Sequence, residues 1–255
     1  MSPKTPTAKV PIRYYNAWDQ IISDWLANQK SIFTLIGRWN RLSSAHLPEP
    51  YYGDADNCSI VIINLNPGIG QPYQEWGNQN IPGVCVNDAK VSRYSGYAKP
   101  FPLLSGSVTN PSAKWWKSRK IWIDRIVNGL GIDTVKNPFA IELCPMHSAA
   151  WKISNPWNYV SYINQSFPAI DVLQVMEYAI LHSDAKLGLA IGKPIFDVLV
   201  KAGYKVKTVP VRPITGNSRE YSILEKNGIR ILCTWAQGGN KAPGAKFNCH
   251  EIKLL

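Results

Sequence analysis

The sequence predicts an α/β fold in which helices cover both faces of a parallel sheet, a three-layer α/β/α arrangement around a central four-stranded parallel sheet. Two observations carry this expectation. Four short apolar runs each lead into glycine, proline or polar residues: Ile60-Val61-Ile62-Ile63 before Asn64-Leu65-Asn66-Pro67-Gly68, Phe139-Ala140-Ile141-Glu142-Leu143-Cys144-Pro145, Leu187-Gly188-Leu189-Ala190-Ile191-Gly192, and Ile229-Arg230-Ile231-Leu232-Cys233-Thr234-Trp235. Between them lie segments whose apolar residues recur at helical spacing.

In chain order, residues 1–11 are polar and broken by proline. Residues 14–29 put Trp18, Ile21, Ile22, Trp25 and Leu26 on one stripe, which predicts an amphipathic helix. The first strand follows, over residues 60–63. Residues 69–109 are rich in glycine and proline and studded with Tyr73, Trp76, Tyr94, Tyr97 and Phe101, so they read as an ordered loop laid over the site. A second helix is expected over 114–130, carrying Trp115, Trp122, Ile123, Ile126, Val127 and Leu130 and stopping at Gly131. A third follows Pro168 over 169–181, with Ile170, Leu173, Met176 and Ile180 on one side, and a fourth spans 193–202 between Gly192 and Gly203. Residues 204–211 and 220–224 read as a small antiparallel hairpin appended before the last strand.

No linker or charge block divides the chain, so the 255 residues are expected to form a single domain, with an N-terminal helical segment at 1–50 and a core at 58–250. The 28 Lys and Arg against 17 Asp and Glu give a formal charge of +11, alongside 10 Trp and 12 Tyr. A basic surface rich in flat rings suits a polyanion that carries bases to stack on. Basic composition also occurs in proteins that bind no polyanion. The five cysteines, Cys58, Cys85, Cys144, Cys233 and Cys249, form no CxxC pair, and three of them fall in or beside strand patterns, where a reduced thiol behaves as a small hydrophobe. With no signal peptide and no apolar run of membrane-spanning length, the expectation is a reducing, cytoplasmic location, a monomer, and neither metal nor membrane.

Ligands of an open parallel sheet sit beyond the carboxyl ends of its strands. The residues there are Asn64 and Asn66, then Glu142, then Gly192 with Lys193, then Trp235, Gln237 and Asn240. That set holds no strand-end histidine, no Ser-His-Asp arrangement and no metal-ligand cluster. Gly188-Leu189-Ala190-Ile191-Gly192-Lys193-Pro194 is only a loose echo of a phosphate loop, so no cofactor is expected. His147 lies three residues past Cys144, and a lone histidine after a strand is more often structural.

Taken together these segments resemble the uracil-DNA glycosylase superfamily, in its N-P-G branch near the mismatch-specific and single-strand-selective enzymes. Asn66-Pro67-Gly68 is similar to the N-P-G motif, and Glu142-Leu143-Cys144-Pro145 looks like the N-x-C-P segment of the second strand. Leu189-Ala190-Ile191-Gly192-Lys193 resembles the third strand, and Trp235-Ala236-Gln237-Gly238-Gly239-Asn240 occupies the place of the loop that wedges into DNA. The likeness runs in order over residues 58 to 247. It implies a uracil-DNA glycosylase-like fold and an enzyme that flips a nucleotide from the duplex and hydrolyses its N-glycosidic bond. Asn66 matches the asparagine that positions the attacking water, although Asn before Pro-Gly is also an ordinary turn former.

Three departures from the family pattern bear on the substrate. Glu142 stands where the uracil enzymes carry asparagine. An ionised carboxylate can only accept, and the cytosine edge offers a donor at N4. Burial would instead favour the protonated acid, which could accept from N4 and donate to N3. Alternatively, Glu142 is a strand-end glutamate paired with a surface lysine. Gly68 replaces a tyrosine that closes the pocket against C5 substituents in the strictest uracil enzymes, although glycine there also allows a tight turn. Trp235 or Gln237 falls where the family has its histidine.

An open C5 side suggests a modified cytosine, such as the glucosylated hydroxymethylcytosine of some bacteriophage DNAs, and hence a resemblance to bacterial anti-phage glycosylases. Gln71, Tyr73 and Trp76 are the candidates to contact the modified base, although either ring could be plain loop packing. Lys193, Gly239, Asn240, Lys241 and Lys246 are the candidates to hold DNA. The competing expectations are a uracil or mismatch glycosylase of base-excision repair, a catalytically silent nucleic-acid-binding module, and a small-molecule transferase on the same sheet.

Overall fold

Apolar residues on both sides of a strand require cover on both sides, and the four central strands have it. The computed structural model describes residues 9–26, 50–65, 111–132, 136, 138–146, 155–207 and 221–234. The strands are β1 (Tyr51–Tyr52), β2 (Val61–Asn64), β3 (Phe139–Glu142), β4 (Leu187–Ile191), β5 (Lys205–Lys207), β6 (Tyr221–Lys226) and β7 (Ile229–Thr234). The helices are α1 (Lys9–Leu26), α2 (Pro111–Leu130), α3 (Pro156–Ser166), α4 (Val172–His182) and α5 (Lys193–Lys201), with a 3-10 turn at Pro168–Ile170. The strands form one mixed sheet in the order β1-β3-β2-β4-β7-β6-β5.

The sheet is wider than the four strands expected. Its four central neighbours, β3, β2, β4 and β7, pair in parallel. Both edges are then extended by antiparallel strands, β1 on β3 and β6 with β5 on β7. The predicted hairpin therefore joins the main sheet. Lys226 pairs with Ile229 across Asn227-Gly228, both at positive φ (52° and 79°), a two-residue connection that matches the strand twist. Covering the edge of β7 in this way satisfies backbone groups that an open edge would expose.

Side-chain alternation divides the strands between two cores. Val61 and Ile63 lie in one core with α1, α3, α4 and α5, through residues such as Trp18, Tyr159, Met176 and Val198. Ile60 and Ile62 lie in the other with Ala140, Leu189 and the α2 residues Trp122, Ile123, Ile126 and Val127. On β4, Gly188 permits the close approach of α4. A Cβ there would meet Ile180 Cδ1 at 2.9 Å, Ile63 Cδ1 at 3.1 Å and Ile231 Cγ1 at 3.2 Å.

The helix ends follow their local chemistry. α2 stops where expected: Gly131 at φ 69° donates to Asn128 O and Ile132 to Val127 O, the two bonds of a Schellman cap. α1 begins earlier than the stripe suggests. Pro11 is tolerated because the N–H groups of a first turn have no partner within the helix. The helix expected over 169–181 splits at Asp171, whose carboxylate accepts from the N–H of Leu173 (3.0 Å) and Gln174 (3.1 Å) and caps α4. α3 has no counterpart in the sequence reading, although Asn155-Pro156 before Tyr159, Val160 and Ile163 is a start signal for it.

Gly188→Ala is expected to lower stability by about 1–3 kcal/mol through overpacking. Urea unfolding measures it, and an unchanged midpoint would contradict the close approach of α4.

Candidate functional site

The connections out of β2 and β4 leave on opposite faces of the sheet, towards α2 and towards α5. Adjacent parallel strands with that property form the point at which an open α/β sheet makes a crevice beyond its carboxyl ends. Asn64 closes β2 there, and Glu142 closes β3 beside it.

Asn64 and Glu142 are register partners. They follow Ile62 and Ala140 by two residues, so both side chains lie on the α2 face of the sheet. The Asn64 Nδ2 amide donates to Glu142 Oε1 at 2.8 Å. Both residues are nearly inaccessible, at 6% and 4% exposure. Backbone pairing continues past the strand ends: Leu143 N donates to Asn64 O at 3.0 Å and Cys144 N to Leu65 O at 2.8 Å. The chain is thus pinned up to the residue before the Asn66-Pro67-Gly68 motif.

A third member was not among the sequence candidates. Arg119 is 3% exposed and lies on the inward stripe of α2, one turn before Trp122 and Ile123. As the crossover between two parallel strands, α2 runs back along the sheet, so that turn lies towards the strand carboxyl ends. Burial pulls the guanidinium down to about 10, while the charge of Glu142 opposes that fall. The signal available in the sequence was a cation three residues before Trp122 and four before Ile123, in line with an otherwise apolar stripe.

Two further groups feel Glu142. Burial raises the Tyr14 phenol far above its ordinary range, and the neighbouring carboxylate adds to the rise. Burial likewise pushes the Cys144 thiol up to about 12, with Glu142 raising it and Tyr159 and the Met146 carbonyl opposing. Both groups are neutral at pH 7. Cys58 is also held at about 12 by burial, and Cys58, Cys144 and Cys233 are buried and reduced, as their strand positions suggest.

Lys193 opens α5 after Gly192, at the far side of the switch point. Its Nζ pairs with Asp197 Oδ1 at 2.7 Å and Oδ2 at 2.9 Å, on an exposed surface. Such a pair is worth at most about 1 kcal/mol, so it leaves the lysine exchangeable towards another anion. Asn66, Gly68, Gln71, Tyr73, Trp76, Trp235, Gln237, Gly239, Asn240, Lys241 and Lys246 lie outside the described residues, as do His147, Cys85, Cys249 and the segment 69–109. Among the described residues no group of three or more His, Cys, Asp or Glu is placed to hold a metal ion, and no helix is long and apolar enough to cross a membrane. No family model matches the chain, and neither a curated protein nor a solved structure is significantly similar to it.

Removing the acceptor of a buried hydrogen bond is expected to cost about 1–3 kcal/mol, as in Glu142→Ala, because the Asn64 amide then loses the oxygen it donates to. Combining it with Asn64→Ala should recover part of that loss. Denaturant unfolding of the four proteins in the cycle measures the coupling, and additive losses would separate the two residues.

The thiols set a second expectation. Cys58 and Cys144 sit above the ordinary value of 9.0, so the stability they confer is complete below pH 9 and declines as pH rises towards 12. The unfolded chain releases those protons first. The slope is on the order of 1 kcal/mol per pH unit for each thiol, and Cys58→Ala should remove one share of it in alkaline melts.

Proposed function

We propose that this protein is a monofunctional DNA N-glycosylase that extrudes a modified cytosine-type base and hydrolyses its bond to the sugar, leaving an abasic site, in anti-phage defence. The observation that carries the reading is the buried Asn64–Glu142 hydrogen bond at the carboxyl ends of adjoining parallel strands. The finer architecture belongs to the same proposal: three layers around four central parallel strands, in the manner of the uracil-DNA glycosylases. The parallel order β3-β2-β4-β7 and the separate apolar cores support it.

In this mechanism the flipped base presents its N4 amine to Glu142, which Asn64 holds by its own amide. Asn66 positions a water against C1′. The water oxygen bonds to C1′ as the C1′–N1 bond breaks, the bonding electrons leave with the base, and the water's proton ends on the base. An amide is a poor general base, so the rate comes from positioning and from stabilising the departing base. Gly68 leaves space over C5, and Gln71, Tyr73, Trp76, Trp235 and Gln237 contact the base and its substituent. Lys193, Gly239, Asn240, Lys241 and Lys246 hold DNA, in keeping with the +11 charge of the chain. Flipping costs a few kcal/mol, which stacking and the inserted loop offset.

Labelled duplexes identical but for one base, carrying cytosine, uracil, hydroxymethylcytosine or its glucosylated form, test the proposal after alkaline cleavage of abasic sites. Cutting is expected at the modified cytosines. Cutting at uracil alone removes the role of Glu142, and binding without cutting supports a silent nucleic-acid-binding module. Asn66→Ala should lower cutting by about a hundredfold or more while DNA binding is kept. Unaltered turnover refutes the role given to Asn66.

A further inference from the structure

The face of the sheet that α2 covers ends in three side chains abreast at the carboxyl rim. Glu142 closes β3, and Asn64 closes β2 in register with it. The register of β2 with β4, Ile63 with Ala190, sets Ile191 beside Asn64 on the other side, and Ile191 packs against the same core as Leu189 two residues before it. The row runs from a carboxyl group through an amide to a half-buried aliphatic side chain. A carboxamide is planar, with oxygen and nitrogen on either side of its bond to the chain, and its hydrogen bond fixes which way round it sits. Because Nδ2 donates towards β3, to Glu142 Oε1 at 2.8 Å, Oδ1 is directed away from β3, to the side of β4. That orientation needs only that Oε1 accept, whatever else Glu142 contacts. Ile191 has no donor to offer on the β4 side, and among the described residues nothing donates to Asn64 Oδ1. Asn64 is 6% exposed, and a buried acceptor without a donor costs about 1–3 kcal/mol. A ligand that brings a donor to the rim removes that cost.

The geometry points to Asn64 as a specificity-determining residue: its carbonyl oxygen accepts a hydrogen bond from the C5 substituent of the extruded base, so that the site selects a substituent bearing a hydroxyl over a methyl. This inference rests on the glycosylase reading, in which the N4 amine meets Glu142. On one side of that amine lies N3, which in cytosine is itself an acceptor and is repelled by a carbonyl oxygen. On the other side lies C5. The carbonyl of Asn64 therefore finds a matching donor only on the C5 side or on the amine. An acceptor spent on the amine takes ordinary cytosine equally well, so the hydroxyl is what sets the modified base apart. In the glucosylated form the sugar supplies the hydroxyls. Ile191, next in the row, offers apolar contact to the carbon that carries them.

The orientation of the amide is read by NMR of the full-length protein labelled with 15N at asparagine, with Asn64→Asp to assign the side-chain signals. One of the two Nδ2 protons should lie downfield of the ordinary amide range, and Glu142→Ala should return it. Two ordinary shifts in the wild type overturn the orientation, and the inference with it. The ligand half uses duplexes identical but for one base, 5-methylcytosine or 5-hydroxymethylcytosine, which differ by a single hydroxyl. The wild type should bind and cut the hydroxymethyl form at least about tenfold better. Asn64→Leu, which keeps the shape and loses the acceptor, should remove that preference. Asn64→Ser, too short to reach the substituent, serves should Asn64→Leu not fold, with backbone amide spectra as the control. Equal handling of the two forms by the wild type, or a preference that survives in the folded variant, overturns the inference while the glycosylase reading stands. If the wild type neither binds nor cuts either form, the inference falls, and the uracil and cytosine duplexes decide whether the glycosylase reading falls with it.

Discussion

A carboxyl group that is 4% exposed needs a partner where it sits, and the hydrogen bond that Glu142 receives organises this end of the molecule. The donor comes from a distant place in the chain: Asn64 arrives on the neighbouring strand and donates at 2.8 Å, while the buried Arg119, on the helix that crosses between those strands, feels the same carboxyl group. The bond is kept only if β2 and β3 hold their register, so it ties together strands that the apolar core alone would let slide. Such a group is a weak source of net stability and a strong source of specificity for one arrangement.

The parallel sheet is what makes that convergence possible. Because β2 and β3 run in the same direction with Asn64 level with Glu142, their last side chains meet on one face. Helices on opposite faces after β2 and β4 mark the point at which sheets of this kind take a ligand. The antiparallel additions at either edge, β1 and the β5–β6 pair, stand away from this point and close the sheet against unwanted pairing. Lysines on the outermost strand β5 serve the same end.

Chemistry at the site follows from what is present. An amide hydrogen-bonded to a carboxyl group favours recognition of a polar edge over covalent catalysis, and the thiol close by is held neutral by burial. That agrees with a mechanism in which the protein positions a water and a leaving base and forms no bond of its own to the substrate. The excess of basic residues suits a polyanionic partner.

The sequence by itself determined the four central strands, the end of α2 at Gly131, the start of α5 after Gly192, and the burial of Cys58, Cys144 and Cys233. Each is a local matter: apolar runs, helical periodicity and glycine caps are written in neighbouring residues. It also brought Asn64 and Glu142 forward, because polar residues at the ends of apolar runs stand out. Tertiary structure alone decided that the two side chains share one face and one hydrogen bond, that Arg119 is buried on the helix covering that face, and that β1 and the hairpin extend the main sheet to seven strands. Register between strands, the direction of a crossover helix and the sharing of charge across a gap in the chain depend on contacts between distant residues, and no local pattern records them.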